Sequence, residues 1–285
     1  MIEYEFIHFE VRDRVAWITL NRPEVLNAMH PPMAAELCDA WKRVRDEGDI
    51  WMGVLTGSGE RAFSAGSDLK WRSEQGEYAR VHNRREVQDQ SGVGFQRGSD
   101  CWKPFIAAVN GYAVGGGLEL VLGCDLIIAA EHAQFGLPEV RRGLMADGAG
   151  IHRLMRRVPH SIAMAMVLSG QFIDAREAWR VGLVNEVVPM SALEEVVERW
   201  VGQVMACAPL SLQASKEAAL RGVDLPINEA IGRVFPQAER LYASEDFIEG
   251  PLAFLRSGRQ SGKVAELRKM LYNPECYRIL LVLRH

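Results

Sequence analysis

The chain has 285 residues, of which 48% are hydrophobic and 25% charged, and its net charge is -4. This balance is typical of a globular protein with a sizeable core, and it offers no basic field for nucleic acid. The five cysteines are scattered and form no CxxC pair, so we expect neither a disulfide framework nor a zinc site, and we expect a reducing, cytoplasmic location.

The first fifth of the chain predicts two strands, a helix and a third strand. Residues 4–20 alternate between apolar and polar side chains, which indicates two strands joined by a turn near Asp13. This acidic, alternating start is not the pattern of a signal peptide. The segment "PPMAAELCDAWKRVRDE" has helical spacing after two prolines, and "WMGVLTG" is typical of a short buried strand.

The middle of the chain repeats a strand–turn–helix unit without a fixed period. The loop "AFSAGSDLK" at 62–70 leads into a helix, and residues 72–99 are polar enough to predict a surface segment, the most mobile of the chain. "KPFIAAVNG", "GGLELVLGC" and "DLIIAA" then predict a strand, a helix and a strand. The apolar run 105–130 contains Glu119 and Asp125, so it indicates buried core rather than a membrane span.

The character of the chain changes after about residue 158. Five segments predict helices, among them "INEAIGRVFPQAERLYASED" at 227–246, and "NEVVP" at 185–189 predicts a short strand or turn between two of them. The sequence therefore predicts a mixed α/β core followed by a helical last third.

Two loop-to-helix junctions, at 62–70 and 115–120, are rich in glycine and serine. The start of a helix exposes unpaired backbone N–H groups and a partial positive charge. If both junctions converged, they could supply two donors to one developing oxyanion. Glycines alone leave the alternative open that both are ordinary turns with close backbone packing.

Four motifs together resemble one family. They are similar to motifs of the crotonase superfamily, in particular of enoyl-CoA hydratases, and they occur in the family's order over about residues 5–190. The motifs are "NRPEVLNAM", "RAFSAGSDLK", "AAVNGYAVGGGLELVLGCDLIIAAEHAQFGLPEVRRGL" and "AREAWRVGLVNEVVP". The resemblance implies an α/β spiral of β-β-α turns in residues 1–195 and a helical C-terminal trimerisation region in 196–285. It implies an acyl-CoA thioester as substrate and a homotrimer or a hexamer of two trimers, and we expect neither a metal nor another cofactor. The net charge and the charged residues of the apolar run predict no nucleic-acid or membrane partner.

The resemblance also assigns backbone donors. The N–H groups of Ser67 and Gly116 match the two donors of the family's oxyanion hole. The segment formed by Ser67, Asp68, Leu69 and Lys70 matches the family's substrate-binding segment, with Lys70 near coenzyme A. The glycines and serines of the two junctions would keep larger side chains away from the thioester.

Two carboxylates carry the expected acid–base chemistry. Glu119 and Glu139 match the two catalytic glutamates of the hydratases. Adding water to an α,β-unsaturated thioester needs a base for the water and a proton for Cα, and two carboxylates around one water can provide both. Without the resemblance, Glu139 would more readily be a surface acid beside Arg141 and Arg142.

The sequence departs from the commonest hydratase pattern at "LMADGAG". Asp147 lies where some superfamily isomerases, including dienoyl-CoA and ring-epoxide types, and relatives resembling carnitinyl-CoA dehydratase, have a catalytic carboxylate; it could equally be the N-cap of the following helix. An isomerase or dehydratase that uses Asp147, and a non-catalytic acyl-CoA-binding scaffold, therefore stay open as alternatives. The tail 261–285 matches nothing in the resemblance.

Overall fold

A computed structural model of the chain describes residues 4–74 and 100–257. Within these two ranges, ten strands form two sheets, and the larger has six strands. Its order is β1 (Ile7–Arg12), β2 (Val15–Leu20), β3 (Met52–Gly57), β5 (Phe105–Val109), β7 (Leu126–Ala130) and β10 (Glu186–Val188). The first pair is antiparallel and the others are parallel. Asp13 and Arg14, both with positive φ, form the predicted hairpin turn.

The smaller sheet has four strands. They are β4 (Ala62–Ser64), β6 (Tyr112–Val114), β8 (Gln134–Gly136) and β9 (Phe172–Asp174) in that order, with only the last pair antiparallel. The chain passes from β3 to β4, from β5 to β6 and from β7 to β8, so each winding adds one strand to each sheet. This arrangement confirms the predicted α/β spiral of β-β-α turns.

The windings also decide where the loop-to-helix junctions lie. Because β4, β6 and β8 are parallel neighbours, the segments after their carboxyl ends lie side by side at one edge of the sheet. Helix α2 (Leu69–Glu74) follows β4, α3 (Gly116–Gly123) follows β6, and a 3₁₀ turn (Pro138–Arg142) follows β8.

The remaining helices cover the sheets and form the C-terminal part. They are α1 (Pro31–Asp46), α4 (Gly150–Arg157), α5 (His160–Ser169), α6 (Ala175–Arg180), α7 (Leu193–Met205), α8 (Pro209–Gly222), α9 (Ile227–Gly232), α10 (Pro236–Tyr242) and α11 (Asp246–Ser257). The single helix predicted over 227–246 is wrong at 233–235 and again at 243–245, where the chain is not helical. Pro236 disfavours helical geometry in the residue before it, so one helix ends and the next begins there.

Alternation along the buried strands builds two apolar layers. In β5, Ile106 and Ala108 face a cluster that includes Leu193 and Val197 of α7. Phe105, Ala107 and Val109 face the larger core on the opposite side. The spiral edge that carries the junctions therefore rests on a sheet packed on both faces.

Some sequence-based expectations concern residues that the structure does not describe, or describes only in part. Most of the predicted surface segment (75–99) and the tail beyond 257 lie outside the described residues. Within 4–74 and 100–257, no helix combines the length and apolarity that a membrane crossing requires. Over the same residues, no group of three or more His, Cys, Asp or Glu could hold a metal ion.

Candidate active site

The segment after β4 uses every backbone donor but one. The N–H groups of Ala65, Gly66 and Asp68 all donate hydrogen bonds. Their acceptors are Leu26 O (2.9 Å), Ser64 Oγ (3.1 Å) and Met29 O (2.8 Å), respectively. Ser67 forms a parallel bridge with Met29 through the backbone groups of its neighbours, so its own N–H faces the other side. Among the described residues, none accepts a hydrogen bond from the Ser67 N–H.

A second unpaired donor begins helix α3. Gly115 has a φ of 57°, a region that glycine enters at little cost, and its N–H donates to Gly136 O at 2.9 Å. Gly116 is the first residue of α3, so its N–H has no acceptor in a preceding turn. This N–H lies at the positive end of the helix dipole.

The two junctions are in backbone contact. A Cβ on Gly66 would lie 2.8 Å from the nitrogen of Gly116, and a Cβ on Gly117 would lie 2.2 Å from the carbonyl oxygen of Ser64. Only glycine fits at these two positions without moving backbone. The structure thus brings together the loops that carry both predicted donors, Ser67 and Gly116.

Glu119 is buried one turn into α3, with only 5% of its surface exposed. Its Oε1 accepts a hydrogen bond of 2.9 Å from the N–H of Gly150, the first residue of α4. Burial raises the pKa of Glu119 to about 7; the hydrogen bond from Gly150 opposes the rise, and the charges of Glu139 and Asp147 add to it. A group with such a pKa can hold or release a proton near neutral pH.

Glu139 is half-buried in the 3₁₀ turn after β8. Its Oε2 is enclosed but has no hydrogen-bond partner among the described residues. Burial raises the pKa of this carboxyl, its own backbone N–H and the charge of Arg142 oppose the rise, and Asp147 adds to it. Glu139 is therefore a second carboxyl whose pKa is raised by burial, with one oxygen that no described residue binds.

Gly115 connects the two glutamates. Its carbonyl oxygen accepts the N–H of Glu119 at 3.0 Å, and a Cβ at this position would lie 3.0 Å from Oε1 of Glu139. Glu119 and Glu139 are 20 positions apart in sequence, and neighbouring windings of the spiral bring Glu139 to Gly115, next to the start of α3. The charge of Glu139 acts on Glu119, so the two carboxyls lie near each other and near the helix start that carries the N–H of Gly116.

Asp147 lies near both glutamates and is exposed. The interpretation of Asp147 as the N-cap of α4 is wrong. The N-cap is Ala149, with a φ of 80° and no capping side chain, because the chain makes one further turn before the helix begins. The carboxylate of Asp147 thus contributes charge at the edge of the site.

The rest of the predicted substrate-binding segment opens α2. Asp68 is buried and accepts the N–H of Trp71 at 3.0 Å, so it caps the helix. Leu69 and Lys70 are exposed, and Lys70 forms a loose ion pair with Glu74 at 4.0 Å. Lys70 is therefore accessible from solvent at the end of the segment that carries Ser67.

Sequence reasoning missed three residues that shape the site. Gly150 supplies the N–H that holds Glu119, and a Cβ at Gly148 would lie 2.4 Å from Oε2 of Glu119. The two glycines of "DGAG" are the signal that could have indicated this close backbone approach. Arg22, within the quoted "NRPEVLNAM", forms a salt bridge of 3.0 Å with Asp68.

The fold and the site define a class of protein: a β-β-α spiral in which two adjoining loop-to-helix junctions carry backbone N–H donors near two carboxyls with raised pKa values. The sequence profile of the enoyl-CoA hydratase/isomerase family matches residues 10–261. The chain belongs to this family, within the crotonase superfamily, and is a hydro-lyase of the CoA-thioester hydratase type.

Several relatives are similar along most of their length. An (E)-benzylidenesuccinyl-CoA hydratase of Thauera aromatica is 43% identical over 79% of this chain and 86% of its own. A carnitinyl-CoA dehydratase of Escherichia coli strain K12 is 37% identical over 88% and 95%. A crystal structure of an enoyl-CoA hydratase from Mycobacterium tuberculosis H37Rv superposes with a TM-score of 0.79 at 34% identity, covering 90% of this chain and 98% of that one.

Proposed function

We propose that the protein adds water reversibly across the double bond of a trans-2-enoyl-CoA to give a 3-hydroxyacyl-CoA. The observation that carries this proposal is the proximity of the two carboxyls to the two donor loops. Oε1 of Glu139 lies against Gly115, the charge of Glu139 acts on Glu119, and the loops that carry the N–H groups of Ser67 and Gly116 are in backbone contact. The reaction needs these four groups and no others, so we also propose that it uses neither a metal nor a redox cofactor.

The oxyanion donors act on the thioester oxygen. When water attacks Cβ, negative charge moves through the conjugated system onto this oxygen. The N–H groups of Ser67 and Gly116 would donate to it, and a donor of this kind contributes about 10²–10³ in rate. Asp68, Leu69 and Lys70 would extend along the thioester toward coenzyme A, with the ammonium of Lys70 nearest the solvent.

The glutamates move the two protons. Water bound between Glu119 and Glu139 would lose a proton to one carboxylate as its oxygen attacks Cβ, and the other carboxyl would protonate Cα. Burial raises the pKa of both carboxyls, that of Glu119 to about 7, and the charge of Glu139 adds to the rise at Glu119. One proton on two carboxyls is the state in which a base and an acid are present together.

A second candidate is suggested by Asp147, which lies near both glutamates. The relative named as a carnitinyl-CoA dehydratase favours a dehydration, which is the reverse of the same steps. An enoyl-CoA or dienoyl-CoA isomerase would instead use Asp147 to carry a proton between carbons. A scaffold that binds acyl-CoA without turnover is the candidate of another class.

The test is loss of the absorbance of the conjugated enoyl thioester on adding protein to crotonyl-CoA and to a longer 2-enoyl-CoA. We expect hydration by the wild type, and at least a ~100-fold loss in Glu119→Gln and in Glu139→Gln. Glu131→Gln removes an exposed carboxylate immediately after β7 and should keep full activity. Coenzyme A binding without turnover of either substrate would contradict the proposal and favour Asp147 chemistry or the scaffold.

We further propose a homotrimer, alone or paired into a hexamer, in a cytoplasmic setting. Exposed apolar side chains on the C-terminal helices support assembly, since single subunits rarely expose so many together. They include Val223, Ile227, Ile231, Val234, Tyr242, Phe247 and Ile248. Light scattering on the wild type and on an Ile227→Asp, Ile231→Asp double variant tests this; an unchanged monomer in both would contradict it.

A further inference from the structure

The segment that carries the Ser67 donor is held by the loop between β2 and α1. Residues 65, 66 and 68 make backbone hydrogen bonds to Leu26 and Met29: Ala65 N–H to Leu26 O at 2.9 Å, Met29 N–H to Gly66 O at 2.7 Å, and Asp68 N–H to Met29 O at 2.8 Å. The direction of the Ser67 N–H therefore depends on where this loop lies.

One side chain ties the two segments together. Nη1 of Arg22 donates to the carbonyl oxygen of Ala28 at 2.6 Å and to Oδ2 of Asp68 at 3.0 Å. The side chains of Arg22 and Asp68 are only 14% and 10% exposed. A buried guanidinium that joins the loop carbonyl to the residue after the donor fixes both against each other.

The two oxygens of Asp68 have separate tasks. Oδ1 accepts the N–H of Trp71 and so fixes the start of α2, while Oδ2 accepts from Arg22. The N–H of Ser67 lies in the Gly66–Ser67 peptide group, whose carbonyl oxygen accepts the N–H of Met29, and the next peptide group carries the N–H of Asp68, which donates to Met29 O. Rotation of the first group would break its bond to Met29, and the two side-chain hydrogen bonds of Asp68 hold the second group in place.

We propose that Arg22 is a positioning residue of the oxyanion hole, acting through Asp68 to orient the N–H of Ser67 toward the thioester oxygen. The inference rests on the proposed function. An oxyanion donor acts only when it points at the place where charge develops, with a tolerance of about 0.5 Å and 10–20°. Arg22 does not touch the substrate in this role; it limits the freedom of the peptide that does.

A purely structural ion pair would behave differently. Its loss would lower stability and leave the folded fraction with normal donors. Loss of a positioning pair lowers kcat in the folded protein and weakens polarisation of the bound thioester carbonyl, while coenzyme A affinity and KM change little. The carbonyl stretching frequency of a bound thioester reports this polarisation directly.

The experiment uses the full chain and butyryl-CoA carrying a ¹³C carbonyl, a saturated thioester that cannot be hydrated. Infrared difference spectra give the shift of the carbonyl stretch on binding, and crotonyl-CoA hydration gives kcat and KM. The variants are Arg22→Met, Arg22→Lys and Asp68→Asn. Arg180→Met, which removes an exposed ion pair with Glu177, is the matched control.

In the wild type and in Arg180→Met we expect a shift of the stretch to lower frequency. In Arg22→Met we expect at least half of that shift to be lost and kcat to fall at least ~10-fold with KM within about 3-fold, a partial loss of one donor's contribution. Arg22→Lys keeps a donor for both acceptors and should restore most of the shift. Asp68→Asn should lose part of the carbonyl shift. The double variant Arg22→Met, Asp68→Asn should lose little more of the shift than Arg22→Met alone.

Full carbonyl shift and full kcat in folded Arg22→Met and Asp68→Asn would overturn the positioning role and leave the hydratase function standing. No shift and no turnover in the wild type would overturn the proposed function itself, and this inference with it. If Arg22→Met does not fold, the carbonyl shifts of the other three proteins are compared. We expect the shift to decrease from wild type to Arg22→Lys to Asp68→Asn, and equal shifts in all three would overturn the proposal.

Discussion

The backbone N–H of Gly150 donates a hydrogen bond of 2.9 Å to Oε1 of Glu119, 31 positions earlier in the chain. This contact places a carboxyl at the N-terminus of helix α4, where unpaired N–H groups and the helix dipole favour a negative charge. It offsets part of the cost of burial and fixes the direction of the carboxyl, so Glu119 is both held in place and ready to exchange a proton.

The first prediction concerns stability against pH. The pKa of Glu119 is raised by burial from its ordinary 4.5 to about 7, so the folded state binds its proton more tightly than the unfolded state. The contribution to stability is present below pH ~4.5 and is lost as pH rises to about 7 and beyond, a change on the order of 3 kcal/mol. Glu119→Gln lacks this titration and should be the more stable protein at pH 8.

Denaturant unfolding at pH 5 and pH 8 measures the effect. The free energy of unfolding of the wild type should fall between the two pH values by more than that of Glu119→Gln. Glu131→Gln, at an exposed position, is the control and should follow the wild type. Parallel pH dependences of wild type and Glu119→Gln would show that Glu119 is not protonated in the folded state.

The second prediction separates an electrostatic role of Asp147 from a catalytic one. After burial, the charge of Asp147 is among the causes that raise the pKa of both Glu119 and Glu139. Asp147→Asn should therefore lower both pKa values and move the pH profile of kcat/KM to lower pH. Because Asp147 is exposed, salt screens it and the shift should be less than about one pH unit.

The measurement is the pH profile of crotonyl-CoA hydration at low and at high salt, with Asp100→Asn, at another exposed carboxylate, as the control. A shifted profile with nearly full maximal rate supports hydration by the two glutamates. A ~100-fold loss at every pH would instead identify Asp147 as an acid or base in the reaction.

The third prediction tests the contact between the two junctions. In Gly117→Ala the new Cβ would lie 2.2 Å from the carbonyl oxygen of Ser64, so the loop that carries Ser67 must move. Forced packing of this kind costs about 1–3 kcal/mol, and the displaced donor should lower kcat by ~10-fold or more. Thermal unfolding and steady-state kinetics measure the two effects.

Gly202→Ala is the matched control for this change. Gly202 lies in α7, and a Cβ there meets no atom within 4 Å. Alanine should stabilise the helix by about 0.5–1 kcal/mol and leave kcat unchanged. Equal kinetics in both alanine variants would mean that the junctions are not in close contact.

The fourth prediction concerns acid. Burial raises the pKa of Asp68, but the hydrogen bonds from Trp71 and Arg22 outweigh burial, so the pKa lies below its ordinary 3.8. A lowered pKa stabilises the folded state above the unfolded pKa, and this stability is lost as pH falls through the folded pKa. Asp68→Asn should be less stable than the wild type at pH 6, and the difference should shrink below pH ~3.8.

Unfolding curves at pH 6 and pH 3 measure this difference, with Asp100→Asn again as control, since Asp100 is 57% exposed in its ion pair with Arg45. An equal gap between Asp68→Asn and wild type at both pH values would mean that the gap comes from packing and not from the charge.

Much of the local structure could be predicted from the sequence because it depends on neighbours in the chain. The apolar residues around Glu119 predicted a buried helix over 116–123, and α3 has these bounds. The turn at Asp13 and the strands after it follow from alternation. The break at Pro236 could also have been predicted, since proline restricts the residue before it.

The N-cap interpretation of Asp147 failed for a different reason. Capping residues are common before helices, but the chain here turns once more, through Ala149 with positive φ, before α4 begins. That turn lets the N–H of Gly150 face Glu119. The requirement for it comes from a side chain 31 positions away, which no local pattern contains.

The sequence by itself determined the residue types of this protein: glycines where no side chain is tolerated, two acids that can share a proton, and apolar spacing that makes each winding of the spiral. It also carried the resemblance from which the site residues were assigned. Only the tertiary structure decided that Glu139 reaches Gly115 and comes near Glu119, and that Arg22 reaches Asp68. It also decided that, among the described residues, nothing accepts the N–H of Ser67. These contacts join different windings, and their distances are fixed by the parallel pairing of β4, β6 and β8 rather than by any stretch of sequence.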